Sequence, residues 1–299
     1  MELQNTRVGF IGLGVMGYSM ASHLMDAGCT LSVFTRTASK AEGLIERGAT
    51  WCATPAEVAT EVDYLFTIVG DPSDVEDIYL GGGKIIASLP ENSVAVEMTT
   101  SSPALARKLA EAATERGVHM LDSPVSGGDL GARKGTLSIM VGGEESVFSR
   151  TLPLLEKMGA NIVYQGPAGS GQSTKMCNQI AIGGSMLGMV EALTFAKAAE
   201  LDPATVLKNI SKGAAGSWSL DNLAPRILND DFDAGFFVHH FIKDMRIALS
   251  SATEMGLNLP GLELALSQYE ALAKAGYAMD GTQALARLYF AELEKVARF

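Results

Sequence analysis

A strand-length apolar run, Val8-Gly9-Phe10-Ile11, leads directly into Gly12-Leu13-Gly14-Val15-Met16-Gly17, after which Met20, Ala21 and Leu24 fall at helical spacing. In a chain with 32 glycines among 299 residues, a G-x-G-x-x-G pattern alone says little. Between a strand and an amphipathic helix it becomes specific. One glycine makes the tight turn, one admits a pyrophosphate against the backbone, and one lets helix and strand pack closely. The helix N-terminus adds backbone N–H groups and a partial positive charge for the phosphates. Gly12, Leu13, Gly14, Val15, Met16 and Gly17 are therefore the candidate dinucleotide-binding turn; the alternative is a plain tight connection between strand and helix.

The end of the second strand reads Phe34-Thr35-Arg36-Thr37. An acid there would accept hydrogen bonds from a ribose 2′-hydroxyl and repel a 2′-phosphate, and none is present. Arg36 offers a planar, permanently charged donor fork, and Thr35 and Thr37 add hydroxyls. The set favours NADP over NAD, the competing reading of Arg36 being a solvated loop arginine.

From Val8 to about Gly166 short β-type runs alternate with helical segments: Val8–Ile11, Leu31–Phe34, Tyr64–Val69, Val94–Met98, His119–Asp122, Ser138–Val141 and Ile162–Tyr164. Such alternation predicts a parallel sheet with crossover helices. After Gly169-Ser170-Gly171 the β signals nearly vanish, and Gln172–Leu201, Pro203–Ser211, Phe241–Met255 and Gly261–Ala275 read at helical period. The expected fold is an α/β Rossmann-type dinucleotide-binding domain over residues 1–168, followed by an all-α domain over 169–299.

A formal charge of −11, from 23 Lys plus Arg against 34 Asp plus Glu, argues against nucleic-acid or anionic-membrane binding. The three cysteines, Cys29, Cys52 and Cys177, lack the spacing of a disulfide scaffold, and with four scattered histidines they make no metal-site pattern. A reducing cytosol is the expected compartment. The polar start, Met1 to Arg7, shows no secretory signal pattern, and the uncharged stretch Met176–Val190 reads as a buried helix too short to cross a bilayer.

Four segments carry a resemblance over essentially the whole chain: Gly12–Gly17, Asp122-Ser123-Pro124-Val125-Ser126-Gly127-Gly128, Gly169-Ser170-Gly171-Gln172-Ser173-Thr174-Lys175, and Ile242-Lys243-Asp244. Together they resemble the β-hydroxyacid dehydrogenase family, which includes hydroxyisobutyrate dehydrogenase, tartronate semialdehyde reductase, glyoxylate/succinic semialdehyde reductase and, more distantly, phosphogluconate dehydrogenase. The resemblance implies reversible hydride transfer between a nicotinamide and a small aldehyde or keto acid. It implies that Lys175 is the catalytic lysine, that Ser126, Gly127 and Gly128 bind the substrate carboxylate, and that Lys243 reaches cofactor and substrate from the second domain. Thr100 corresponds to a hydroxyl residue beside the nicotinamide ribose and substrate. Val69 and Gly70, in Val69-Gly70-Asp71-Pro72, stand where the family has a Leu-Pro-Asn-type turn on the adenine side. A homodimer or homotetramer built through the helical domain is also implied.

The chemistry suits these residue types. Hydride reduction of an aldehyde leaves an alkoxide, so a group that holds and releases one proton must sit by the oxygen. A lysine does this once a low-dielectric cleft or a neighbouring cation such as Lys243 lowers its pKa from about 10.4. Asn178 and Gln179, at i+3 and i+4 from Lys175, share its helical face and read either as substrate ligands or as interhelical amides. Glycines in Ser126-Gly127-Gly128 allow consecutive N–H groups to face a carboxylate, though the tripeptide alone reads more often as a plain turn. His239 and His240 read as packing or edge residues. Asp244 and Arg246 either make interdomain hydrogen bonds that aim Lys243 or form a solvated face. Gly184-Ser185-Met186-Leu187-Gly188 permits close helix packing, including across a subunit interface.

The expected activity is NADP-dependent interconversion of a small β-hydroxy acid and its semialdehyde, of the 3-hydroxyisobutyrate dehydrogenase or 2-hydroxy-3-oxopropionate reductase type. The alternatives are a glyoxylate/succinic semialdehyde reductase and a non-catalytic NADP-binding sensor.

Overall fold

Alternate side chains of the central strands leave one sheet on opposite sides, and each side is covered by helices. The computed structural model describes residues 3–296. Its nine strands are β1 (Arg7–Ile11), β2 (Thr30–Phe34), β3 (Thr50–Trp51), β4 (Tyr64–Thr67), β5 (Val94–Glu97), β6 (His119–Asp122), β7 (Val125–Ser126), β8 (Leu137–Gly143) and β9 (Gly159–Gly166). They lie in the order β3-β2-β1-β4-β5-β6-β8-β7, with β9 paired to β8. From β3 through β6 every pairing is parallel. That is the doubly wound arrangement, whose winding reverses between β1 and β4 and opens a crevice at the carboxyl ends of the strands.

Tyr64, Phe66, Val94 and Val96 face a core shared with Met20, Ala21 and Leu24 of helix Gly17–Asp26 and with Leu154 and Leu155 of helix Glu145–Leu155. Leu65 and Ala95 face the opposite core, with Val75 and Tyr79 of helix Pro72–Leu80 and Leu109 and Ala113 of helix Pro103–Thr114. Burial on both faces is why these strands read as continuous apolar runs.

The sheet departs from the sequence expectation in two places. β3 and β7 have two residues each, too few to show a period. β8 runs antiparallel to β6 and β7, although parallel to β9. The link from β7 to β8 holds only the short helix Gly128–Lys134. A parallel return needs a crossover of a dozen or more residues, so a shorter link brings the chain back antiparallel.

Packing divides the chain into two units between Lys175 and Met176, inside helix Ser170–Ala198. The second unit has its own core. Met186, Met189, Val190 and Leu193 of the long helix pack with Phe241 and Met245 of helix Val238–Glu254 and with Leu262 and Tyr269 of helix Pro260–Leu272. Apart from the backbone bridge Phe237/Gly281, its described residues form helices and connections.

The length argument against a membrane span needs correcting. The helix runs 29 residues and contains an 18-residue window with a mean hydropathy of 1.3, which meets the length and composition of a span. The uncharged stretch is shorter than the helix because Lys175 and Glu191 flank it without ending the hydrogen-bonded ladder. Of that window 44% is buried inside the protein, and Met186, Met189, Val190 and Leu193 are the side chains it commits to the core of the second unit.

Candidate active site

The glycine turn has the geometry a pyrophosphate requires. Gly12 takes φ +99°, and a side chain there would overlap the Ile68 carbonyl oxygen; one at Gly17 would overlap the Gly12 carbonyl oxygen. At Gly14 a Cβ would meet nothing within 4 Å, so that backbone is open to an incoming group. Helix Gly17–Asp26 has no side-chain hydrogen bond at its N-cap and no acid in its first turn. The turn therefore fits a dinucleotide by shape and by charge.

At the end of β2, Arg36 is 80% exposed, and its Nη1 lies 3.6 Å from Asp74 Oδ1. Asp74 also accepts the Asp71 backbone N–H at 3.1 Å, which fixes the start of helix Pro72–Leu80. The second strand carries no acid of its own, yet the tertiary fold brings one beside its arginine. Thr35 is buried next to it.

Beyond β4, β5 and β6 the polar groups are interlocked. Val69 N–H donates to Thr99 Oγ1 at 2.9 Å, joining the turn after β4 to the Thr99-Thr100 segment after β5. Thr99 N–H donates to Glu97 Oε1 at 2.7 Å. Gln172 donates to the Thr99 carbonyl at 2.7 Å and to Glu97 Oε2 at 3.3 Å, and accepts the Ser101 N–H at 2.9 Å. Asp122, at the end of β6, accepts the N–H groups of Gly169 and Gln172, each at 2.8 Å. Burial pushes the Asp122 carboxyl up to about 6, against the opposite pull of those backbone donors.

One turn after Gln172, Lys175 is 5% exposed, and its ammonium donates to the Val125 carbonyl at 2.8 Å. Val125 and Ser126 form β7, so the lysine and the Ser126-Gly127-Gly128 loop meet in one place. Of the residues singled out from the sequence, the first unit thus assembles Val69, Thr100, Ser126 and Lys175 around the strand ends, with Gly12–Gly17 at the end of β1.

The second unit holds a separate polar chain. Asn178 Nδ2 donates to Gln179 Oε1 at 2.7 Å, Gln179 Nε2 donates to Asp244 Oδ2 at 2.6 Å, and Lys243 Nζ lies 3.1 Å from Asp244 Oδ1. Asp244 thereby holds Lys243, whereas Arg246 pairs with Glu270 at the exposed surface. The rings of His239 and His240 lie tilted with centroids 4.0 Å apart among Phe236 and Phe237, a packing cluster.

Sequence reasoning assigned no role to Glu97, Gln172, Asp122 or Asp74. Asp122 and Gln172 lie inside the segments Asp122–Gly128 and Gly169–Lys175, and Glu97 opens Glu97-Met98-Thr99-Thr100 around Thr100, which is the available signal. Nothing local marks Asp74.

A glycine turn on a doubly wound sheet, with a buried lysine beside the strand ends, has the arrangement of a dinucleotide-dependent enzyme. The family signature described as the NAD binding domain of 6-phosphogluconate dehydrogenase matches residues 7–166, and that described as the NAD-binding of NADP-dependent 3-hydroxyisobutyrate dehydrogenase matches residues 169–289. The chain is 49% identical to the probable 3-hydroxyisobutyrate dehydrogenase-like 1, mitochondrial, of Arabidopsis thaliana, over 94% of this chain and 84% of that protein. It is 41% identical to the 2-hydroxy-3-oxopropionate reductase of Escherichia coli (strain K12), over 85% and 87%. The solved structure of Mycobacterium tuberculosis 3-hydroxyisobutyrate dehydrogenase with L-serine superimposes with a TM-score of 0.88 at 27% identity, covering 95% of this chain and 99% of that one. The chain belongs to the β-hydroxyacid dehydrogenase family, NAD(P)-dependent enzymes acting on CH–OH groups.

Proposed function

We propose that the protein interconverts a small β-hydroxy acid and its semialdehyde with NADP as the preferred cofactor, Lys175 serving as general acid and base. The observation that carries the reading is the buried Lys175, whose ammonium donates to Val125 one residue before Ser126. A bound nicotinamide would supply or accept the hydride. Gly12–Gly17 would hold the pyrophosphate, Val69 and Gly70 the adenine side, and Thr100 the ribose beside the reacting carbon. Ser126, Gly127 and Gly128 would hold the substrate carboxylate. In the reducing direction Lys175 gives a proton to the developing alkoxide; in reverse it takes the hydroxyl proton. Of the two amides after it, Asn178 would orient the substrate hydroxyl, since Gln179 is buried with its oxygen on Asn178 and its nitrogen on Asp244. The names of the relatives favour 3-hydroxyisobutyrate or 2-hydroxy-3-oxopropionate, with glyoxylate and succinic semialdehyde as the next candidates.

Arg36 supports NADP, since its exposed guanidinium suits a 2′-phosphate dianion. Asp74 offsets part of that charge. A cytosolic homodimer or homotetramer completes the proposal, the assembly being read by sedimentation equilibrium.

The test is oxidation of NADPH and NADH by purified protein against methylmalonate semialdehyde, 2-hydroxy-3-oxopropionate, succinic semialdehyde and glyoxylate. Turnover preferring NADPH, with the preference lost in Arg36→Ala, is the expected result. Preference for NADH would overturn the cofactor reading, and no turnover on any pair would favour the sensor.

A further inference from the structure

We propose that Gln172 and Asp122 are positioning residues for Lys175, which fix the first turn of its helix to the loop after β5 and to the end of β6. The proposal rests on the reading of Lys175 as the proton-transfer group.

The start of helix Ser170–Ala198 is held far more tightly than capping requires. A local Ser, Thr, Asn or Asp ordinarily satisfies the first N–H groups of a helix. Here both oxygens of one carboxylate, Asp122, are used, one on Gly169 N–H and one on Gln172 N–H. Gly171 lies between those donors, and a side chain there would overlap the carbonyl oxygens of Asp122 and Met140. The helix end therefore rests directly on the backbones of β6 and β8.

Gln172 is fully buried and uses both ends of its amide. Its oxygen accepts from Ser101 N–H, and its nitrogen donates to the Thr99 carbonyl and to Glu97. Glu97, 2% exposed, completes the frame by accepting Thr99 N–H. Any rotation of the first turn would break these bonds in a buried setting, where an orphaned polar group is costly. Lys175 follows Gln172 by three residues and projects from the same side of the helix. The frame thus sets where the ammonium stands relative to the Thr99-Thr100 segment. Burying two carboxylates to hold one helix end is expensive where a surface cap would serve for stability alone. Supporting groups of this kind act on a reaction through the precision of another group.

The variants are Gln172→Met, similar in shape but unable to hydrogen-bond, Gln172→Glu, the pair Gln172→Glu with Glu97→Gln, and Asp122→Asn. Gln172→Met is expected to lower kcat by about 100-fold while changing cofactor KM less than about threefold, and to raise the deuterium isotope effect from 4-deuterated cofactor. Gln172→Glu places two carboxylates face to face and should fall further. Adding Glu97→Gln should restore about tenfold by removing the facing charges, and should stay below the parent because position 172 then has no N–H for the Thr99 carbonyl. A purely structural role would not move the isotope effect. Folded variants with kcat within about threefold of the parent, or losing kcat and cofactor affinity in proportion, would overturn the proposal.

If the parent protein turns over none of the aldehyde acids, the functional reading fails on its own, and positioning is still measured. In protein labelled with 13C-lysine, the ε-carbon resonance of Lys175, assigned with Lys175→Arg, should change its titration in Gln172→Met and Asp122→Asn. An unchanged titration in both would overturn it.

Discussion

Along one helix, Ser170–Ala198, two kinds of polar anchoring follow each other. Before Met176 the partners are mostly backbone atoms at strand ends: the Thr99 and Val125 carbonyls, the Ser101 N–H, and the helix's own N–H groups on Asp122. After it the partners are side chains, in the chain Asn178, Gln179, Asp244 and Lys243. A strand end is fixed by the whole sheet, so it holds a charge at one point. A side-chain string retains rotamer freedom and is stabilised only by the packing around it. The comparison suggests that the first segment sets geometry and the second sets stability.

The largest expected effect is at Lys175. Lys175→Ala should lose about 10²–10⁴-fold in turnover with cofactor affinity retained, read by steady-state kinetics and a fluorescence titration of NADPH. Retained turnover would remove the first segment from the chemistry. Next, Asp244→Ala removes the buried carboxylate that accepts from Gln179 and lies beside Lys243. A loss of about 3 kcal/mol in urea denaturation is expected, and near-neutrality would mean that the second polar chain contributes little.

A smaller effect comes from Asp122, whose carboxyl is raised from 3.8 to about 6 by burial. Between those values the folded state binds the proton more tightly than the unfolded state does. The resulting stabilisation is present below pH ~4 and is lost as pH rises through ~6, by roughly 2–3 kcal/mol. The stability difference between the parent and Asp122→Asn, measured from pH 4 to 7, should shrink in that direction; a flat difference would show that the backbone donors cancel the burial. The smallest effect belongs to Arg246→Ala. Its exposed pair with Glu270 should be worth under about 1 kcal/mol by thermal denaturation, so a larger loss would break the contrast between buried chain and solvated surface.

Much of this was legible in the sequence, for local reasons. Val8–Ile11 followed by Gly12–Gly17 specifies strand, turn and helix within one short segment, and the structure supplies the φ and the open Gly14 that the pattern requires. The central strands likewise read as continuous apolar runs, and helices such as Val238–Glu254 read at helical period. β3 and β7 do not, because two residues contain no period. The resemblance pointed to Lys175 and Ser126. Their meeting through Val125 is a contact across 50 residues, which no spacing rule reaches.

What the sequence determined by itself was a dinucleotide turn on an alternating α/β segment, then a helical segment, because apolar periodicity and glycine placement act over a few residues. What only the tertiary structure decided was which distant groups share a place. Gln172 meets Glu97 across 75 residues, Asp122 meets Gln172 across 50, and Asp74 stands beside Arg36 at the end of a different strand. These depend on sheet order and on the antiparallel return of β8, and sheet order is set by burying both faces of a sheet at once rather than by any local preference.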